Sequence, residues 1–176
     1  MLLKENSTST YDFGCTMLYF DFPEIKEVHS IIDPSDLYME EEDKTYGLED
    51  EPHVTLLYGL HDDKINIEEI KEIINKFTFE SCLVHNASLF YNEKYEVLKF
   101  DVKGDNLQKI NSLLRKLPYT NNYPEYHPHM TLGYLQNGKG QKYVDLLQGL
   151  NWWLIPLYVI YSKPNGDKIR ININID

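Results

Sequence analysis

The feature that most constrains this chain is a heptapeptide that occurs twice. Pro52-His53-Val54-Thr55-Leu56-Leu57-Tyr58 matches Pro128-His129-Met130-Thr131-Leu132-Gly133-Tyr134 at the Pro, His, Thr, Leu and Tyr positions. Packing alone does not require the same histidine and threonine twice. Each copy follows a polar, irregular segment and holds a similar place in its half of the chain. Two related units meeting at a shared cleft would bring the copies face to face. Each copy has the apolar and β-branched content of a strand, on which side chains alternate between faces. His53 and Thr55 then point one way and Val54, Leu56 and Tyr58 the other; His129 and Thr131 are set in the same way against Met130, Leu132 and Tyr134. The apolar face is expected under helices, and the His and Thr face open to a cleft.

The rest of the chain supplies strands and helices around these copies. Residues 15–22 form an apolar and aromatic run stopped by Pro23. A short helix over 24–32 ends at Asp33-Pro34, because a residue before proline is pushed out of the helical region. The acidic stretch 39–51 reads as a solvated loop that could also act as a lid beside His53. Asn66 caps a helix with apolar residues at 67, 70, 73, 74 and 77. Strands are expected over 81–84, 87–90 and 97–102, the last two joined by a turn near Asn92-Glu93. A helix over 106–117 ends at Pro118. A short helix over 141–150 and strands over 155–162 and 169–175 close the chain. This order predicts an α+β protein, a sheet packed on helices, in a single domain spanning 1–176.

Charge narrows the partners. The chain has 176 residues, 17 Lys and Arg against 28 Asp and Glu, and a formal charge of -11. Such a field repels a long polyanion unless the basic residues gather in one cleft, so a small nucleotide is favoured over long nucleic acid. Cys15 and Cys82 stand in apolar surroundings without CxxC or CxxH spacing, against a disulfide framework or zinc knuckle. No stretch has the length of a membrane span, and MLLKENSTST lacks the apolar core of a signal peptide. A cytoplasmic protein without a membrane partner is expected.

Two imidazoles with ordinary pKa near 6.5 can be one neutral and one protonated at neutral pH, as concerted general base and general acid catalysis requires. Two threonine hydroxyls beside them can donate to non-bridging phosphate oxygens as charge builds in the transition state. His53, Thr55, His129 and Thr131 are therefore the candidate catalytic set, and the chemistry that suits them is on a phosphodiester. His127 and His129 flank Pro128 and could hold a metal, but no second ligand cluster joins them, so no metal and no cofactor is expected. His29, His61 and His85 read as surface or structural residues. Tyr11, Phe13, Tyr123 and Tyr126 are candidates for stacking on a base, with sheet packing as the equal alternative. Lys168 and Arg170 could meet phosphate, or belong to a solvated edge strand.

The paired His-x-Thr-Leu motifs resemble the 2H phosphoesterase superfamily, which includes LigT-like RNA 2′-5′ ligases and cyclic phosphodiesterases. The resemblance runs from about Cys15 onward and rests on the two motifs. It implies a pseudo-symmetric bilobal α+β fold, two sheet-and-helix lobes around a central cleft, with catalysis by His53, Thr55, His129 and Thr131 and no metal. His-x-Thr-Leu-x-Tyr in both copies, the Tyr-Pro-Glu-Tyr-x-Pro lead-in to His129, and Gly14-Cys15 before Leu18-x-x-Asp21 are similar to phage anti-CBASS phosphodiesterases. That similarity implies a small cyclic oligonucleotide, or a nucleotide with a cyclic phosphate, as substrate in a host cytoplasm.

Overall fold

The computed structural model describes residues 12–176. β1 (Gly14–Asp21) is buried at every residue up to the exposed Asp21, and Pro23 follows two residues on. α1 (Ile25–Ser30) turns Ile25 and Val28 inward. The first motif copy is β2 (His53–Leu60), followed by α2 (Ile67–Asn75). Asn66 and Glu69 form a reciprocal capping box at the start of α2, with Ile70, Ile73 and Ile74 buried at helical spacing. β3 (Thr78–Phe79) is short.

The two strands expected over 81–84 and 87–90 are one, β4 (Cys82–Tyr91). The register slips between His85 and Ala87, and Asn86 takes φ 53° there, a left-handed conformation that asparagine tolerates at a bulge. β5 (Tyr95–Lys103) pairs with it, and α3 (Leu107–Leu114) leads through an irregular segment to the second motif copy, β6 (His129–Gln136). α4 (Gln141–Leu147), β7 (Trp152–Ser162), β8 (Lys168–Asn172) and β9 (Asn174–Ile175) complete the chain. The last strand expected over 169–175 is divided in two, because β9 leaves the main sheet to pair in parallel with β3.

The main sheet runs β1-β2-β6-β5-β4-β7-β8, and β1 also pairs with β7. That extra pairing closes β1, β2, β6, β5, β4 and β7 into a ring, with β8 outside it. The expected separation into two lobes is thus replaced by one barrel-like sheet. What survives of the repeat is local. β7-β1-β2 and β6-β5-β4 are two antiparallel triplets with long registers, joined at narrow seams by Val54 opposite Met130 and by Cys82, Leu83 and Val84 opposite Leu154, Trp153 and Trp152.

Strand edges left open by the β2–β6 seam are covered crosswise. The segment before the first copy lies along β6: Glu49 N–H donates to Leu132 O and Tyr134 N–H to Gly47 O. The segment before the second copy lies along β2: Thr120 N–H donates to Gly59 O, and Asn121 Nδ2 to Tyr58 O. Part of the acidic stretch is therefore pinned as a strand-edge cover, with Glu49 buried.

Both motif strands carry a bulge at the same place. The register slips between Thr16 and Met17 opposite Leu56, and between Leu98 and Lys99 opposite Leu132. Each slip adds one residue and turns the following tyrosine to the other face. Tyr58, expected with Val54 and Leu56, instead joins Cys15, Met17 and Tyr19, while Tyr134 meets Tyr46 and Tyr95. The core fills the helix-covered face with Leu18, Phe20, Val54, Leu56, Phe100, Met130 and Leu132 beside the apolar stripes of the helices.

Candidate active site

The site is built on the face of the sheet away from the helices. Val54 and Met130 are registered partners and both belong to the helix-side core. Their neighbours His53, Thr55, His129 and Thr131 therefore point the other way. Carried one residue to either side, the antiparallel register sets His53 across from Thr131 and Thr55 across from His129. The two histidines are then diagonal neighbours, roughly 7–8 Å apart between α-carbons by the usual spacing of such pairs.

Each ring is oriented by the same local device. His53 Nδ1 lies 2.8 Å from Glu51 O, and His129 Nδ1 lies 2.9 Å from His127 O. A carbonyl can only accept, so in both rings Nδ1 carries the proton and Nε2 is the nitrogen that exchanges one. Proline intervenes each time, as Pro52 and Pro128. It holds the preceding residue extended and fixes its own φ, which keeps the carbonyl two residues back within reach of the ring.

The surroundings of the two rings differ. Across from His53 stands Tyr19, the rings 5.1 Å apart; Tyr19 stacks on Tyr158 at 5.5 Å, and the Arg170 guanidinium lies 4.2 Å from the Tyr158 ring centre. Burial and the nearby carboxylates of Glu51 and Glu49 hold the Tyr19 phenol in its protonated form. Across from His129 stands Asp101, and across from Thr131 stands Lys99. Lys99 is buried; its Nζ donates to Asp101 Oδ1 at 2.8 Å and to Ser88 Oγ at 2.8 Å, and lies 4.5 Å from the centre of the Phe90 ring. Phe90 packs edge-on against His129 at 4.9 Å. Burial, with a smaller contribution from Lys99, outweighs the His127 carbonyl and Asp101 and pushes the His129 pKa down to about 4.

The threonines differ as well. Thr131 is buried, and its Oγ1 has no hydrogen-bond partner among the described residues. Thr55 is half-buried and its hydroxyl interacts with the Cys15 thiol, whose pKa burial pushes up to about 12.

Of the residues expected to stack on a base, Tyr11 lies outside the described residues. Phe13 stacks on His61 at 5.4 Å and meets Tyr58 edge-on. Tyr123 is exposed on the lead-in to β6, where Arg115 holds its carbonyl at 2.8 Å. Tyr126 is no rim residue: its side chain packs against the core and its hydroxyl donates to Thr55 O at 2.9 Å. His29, by contrast, spans to β6 from α1, its Nε2 3.0 Å from Leu132 O. Residues not singled out from sequence are Tyr19, Ser88, Phe90, Lys99 and Asp101. The signal lay in β5, where Lys99 and Asp101 interrupt the otherwise apolar run 97–102 at strand spacing.

These features define a mixed α/β protein with a closed antiparallel sheet and two His-x-Thr pairs brought together on the face away from the helices, where, against the expectation of an open cleft, His53 and Thr131 are buried. No family model and no curated protein matches the sequence. The fold is similar to that of Usb1 from Kluyveromyces marxianus, solved with uridine monophosphate, at a TM-score of 0.59 and 11% identity over 92% of this chain and 98% of that one.

Proposed function

We propose that this chain is a phosphodiesterase of the 2H phosphoesterase type, acting without a metal on a small nucleotide. The observation that carries the reading is the Val54 and Met130 register, which sets two His-x-Thr pairs on one face with the imidazoles diagonal. In this reading one neutral imidazole takes a proton from water or a ribose 2′-hydroxyl as that oxygen attacks phosphorus. The other imidazole, protonated, gives its proton to the departing oxygen. Thr55 and Thr131 donate to the non-bridging oxygens, where charge grows. Thr131 suits this role because its hydroxyl makes no other hydrogen bond among the described residues. The fold likeness to a protein solved with a bound nucleotide supports a nucleotide as ligand.

The substrate we infer is a small cyclic oligonucleotide or a nucleotide with a 2′,3′-cyclic phosphate, with an anti-CBASS role as the corresponding biology. The charge of -11 supports a compact ligand over a long one. The second reading, processing of an RNA end, draws on the uridine monophosphate in the similar structure. The test is to incubate the protein in EDTA with cyclic di- and trinucleotides, 2′,3′-cyclic mononucleotides, 2′-5′ oligoadenylate and tRNA halves, and to identify products by mass spectrometry. Cleavage of the cyclic oligonucleotides is the expected result. Joining or trimming of RNA ends alone would select the second reading, and tight binding with no product would make the protein a nucleotide-sequestering module.

A further inference from the structure

The face that carries the two His-x-Thr pairs is closed at the pairs themselves and open at β7. Leu154 and Val159 of that strand belong to the core, whereas Trp153 is 67% exposed, Ile155 53% and Leu157 41%. β7 is no edge strand: β1 pairs along one side of it, and β4 and β8 pair with successive parts of the other. An exposed stripe of large apolar side chains on an interior strand is the kind of surface that receives a ligand or a partner.

The register shows which face the stripe belongs to. Trp153 is the partner of Leu83, next to the core pair Leu154 and Cys82, so Trp153 and Leu83 point away from the helices. His129, Asp101 and His85 form one row across β6, β5 and β4 on that face, and Leu83 lies two residues along from His85. In the other direction His53, Tyr19 and Tyr158 form a row across β2, β1 and β7, and Asp21, two residues along from Tyr19, is the partner of Ile155. Both routes around the ring from the His-x-Thr pairs therefore arrive at the stripe. Along the sheet Trp153 is three strands from His129, roughly 14 Å by the usual strand spacing.

Cations bracket the stripe. Lys103, exposed, is the partner of Leu83 and continues the Trp153 row. At the other end the exposed Arg170 holds its guanidinium 4.2 Å from the centre of the Tyr158 ring. An aromatic and aliphatic strip between two cations is complementary to a short oligonucleotide, whose base faces stack on aromatic rings and whose linkages are anionic. A second copy of this chain, itself at -11, is a poorer match.

Resting on the phosphodiesterase reading, we propose that Trp153, with Ile155 and Leu157 beside it, is a stacking platform for a second nucleobase, so that the substrate is an oligonucleotide of at least two residues and not a lone cyclic mononucleotide. The nucleotide whose phosphate lies at the imidazoles keeps its own base near the pairs. The base of a further nucleotide comes to lie on the Trp153 indole, with Lys103 and Arg170 meeting the linkages on either side.

The test uses H129A, which holds ligands uncleaved, and compares cyclic di-AMP and cyclic tri-AMP with 2′,3′-cyclic AMP. Trp153 emission is read as the difference between that protein and its W153F version, since Trp152, packed against Phe22 and Phe100, is common to both. A cyclic oligonucleotide should quench the Trp153 emission on binding, and the mononucleotide should not. Trp153→Ala should raise the oligonucleotide Kd roughly 5- to 150-fold and the mononucleotide Kd less than twofold. Trp153→Phe keeps an aromatic face and should recover most of that affinity. A bound oligonucleotide that leaves Trp153 emission unchanged, failure of both oligonucleotides to bind, or equal losses for all three ligands in W153A would overturn the platform, even in a protein that cleaves a phosphodiester. Trp153 emission that follows protein concentration alone, with a dimer in sedimentation that Trp153→Asp dissociates, would give the stripe to a second copy and overturn it as well. Quenching by an oligonucleotide, in a wild-type protein that turns over no nucleotide of the panel, would sink the phosphodiesterase reading and leave the platform standing.

Discussion

At the scale of single residues, one threonine of the paired motif costs the fold stability. Thr131 Oγ1 is buried without a hydrogen-bond partner among the described residues, which disfavours the folded state unless a ligand supplies an acceptor. Thr131→Val, nearly isosteric, should raise stability by about 1 kcal/mol while lowering turnover roughly 10- to 100-fold; denaturant unfolding and initial rates measure the two effects. A Thr131→Val variant less stable than wild type would indicate a hydrogen bond at that hydroxyl. His129 makes a second prediction. Its folded pKa of about 4 lies below the ordinary 6.5, so between those values the unfolded chain binds the proton more readily. Stability contributed by neutral His129 is complete above pH 6.5 and is lost as pH falls toward 4, by no more than about 3 kcal/mol. His129→Gln should flatten unfolding free energy against pH across that window. An unchanged slope would mean the ring is not held neutral.

At the scale of elements, the matched bulges at Leu56 and Leu132 take each leucine carbonyl out of the regular ladder. A helix side chain meets each one: Asn111 Nδ2 on α3 donates to Leu56 O at 2.6 Å, and His29 on α1 reaches Leu132 O. Asn111→Leu should cost about 1–3 kcal/mol by leaving a buried carbonyl unsatisfied, read as a lowered midpoint in urea; a neutral effect would show that water replaces the amide. These elements also mark what the sequence made legible. Helices α2 and α3 announced themselves by Asn66, by apolar spacing and by Pro118, and both motif strands by their composition. The bulges did not, because a one-residue slip is set by the partner strand and not by the motif itself. Ring closure through β1 and β7 and the pairing of β9 with β3 are long-range contacts with no local signature. In the site, the repeated motif carried His53, Thr55, His129 and Thr131. Tyr126 misled because the same ring suits a cleft rim or a core, and only its bond to Thr55 O separates them.

At the scale of the whole molecule, the fold joins two triplets of strands at narrow seams and sets one His-x-Thr pair on each side of the β2–β6 seam. Segments that precede each copy brace the opposite strand, so each half holds the other's histidine strand in place. The chain's net charge of -11 disfavours extended polyanions wherever basic residues do not gather. Competition by long single-stranded RNA should therefore be weak at low salt and become stronger, or stay unchanged, as salt screens the repulsion. Inhibition that is strong at low salt and relieved by salt would instead reveal a basic track for RNA.

The most direct test of the paired-histidine account is a double-mutant cycle in excess EDTA, with single-turnover rates for wild type, H53A, H129A and H53A/H129A on whichever nucleotide of the panel turns over best. Each single replacement should lower the rate roughly 10²- to 10⁴-fold with the fold intact, and the double replacement should lose far less than the product of the two. Full activity in either single variant, multiplicative losses in the double one, or loss of wild-type activity in EDTA with recovery on a divalent ion would contradict the account.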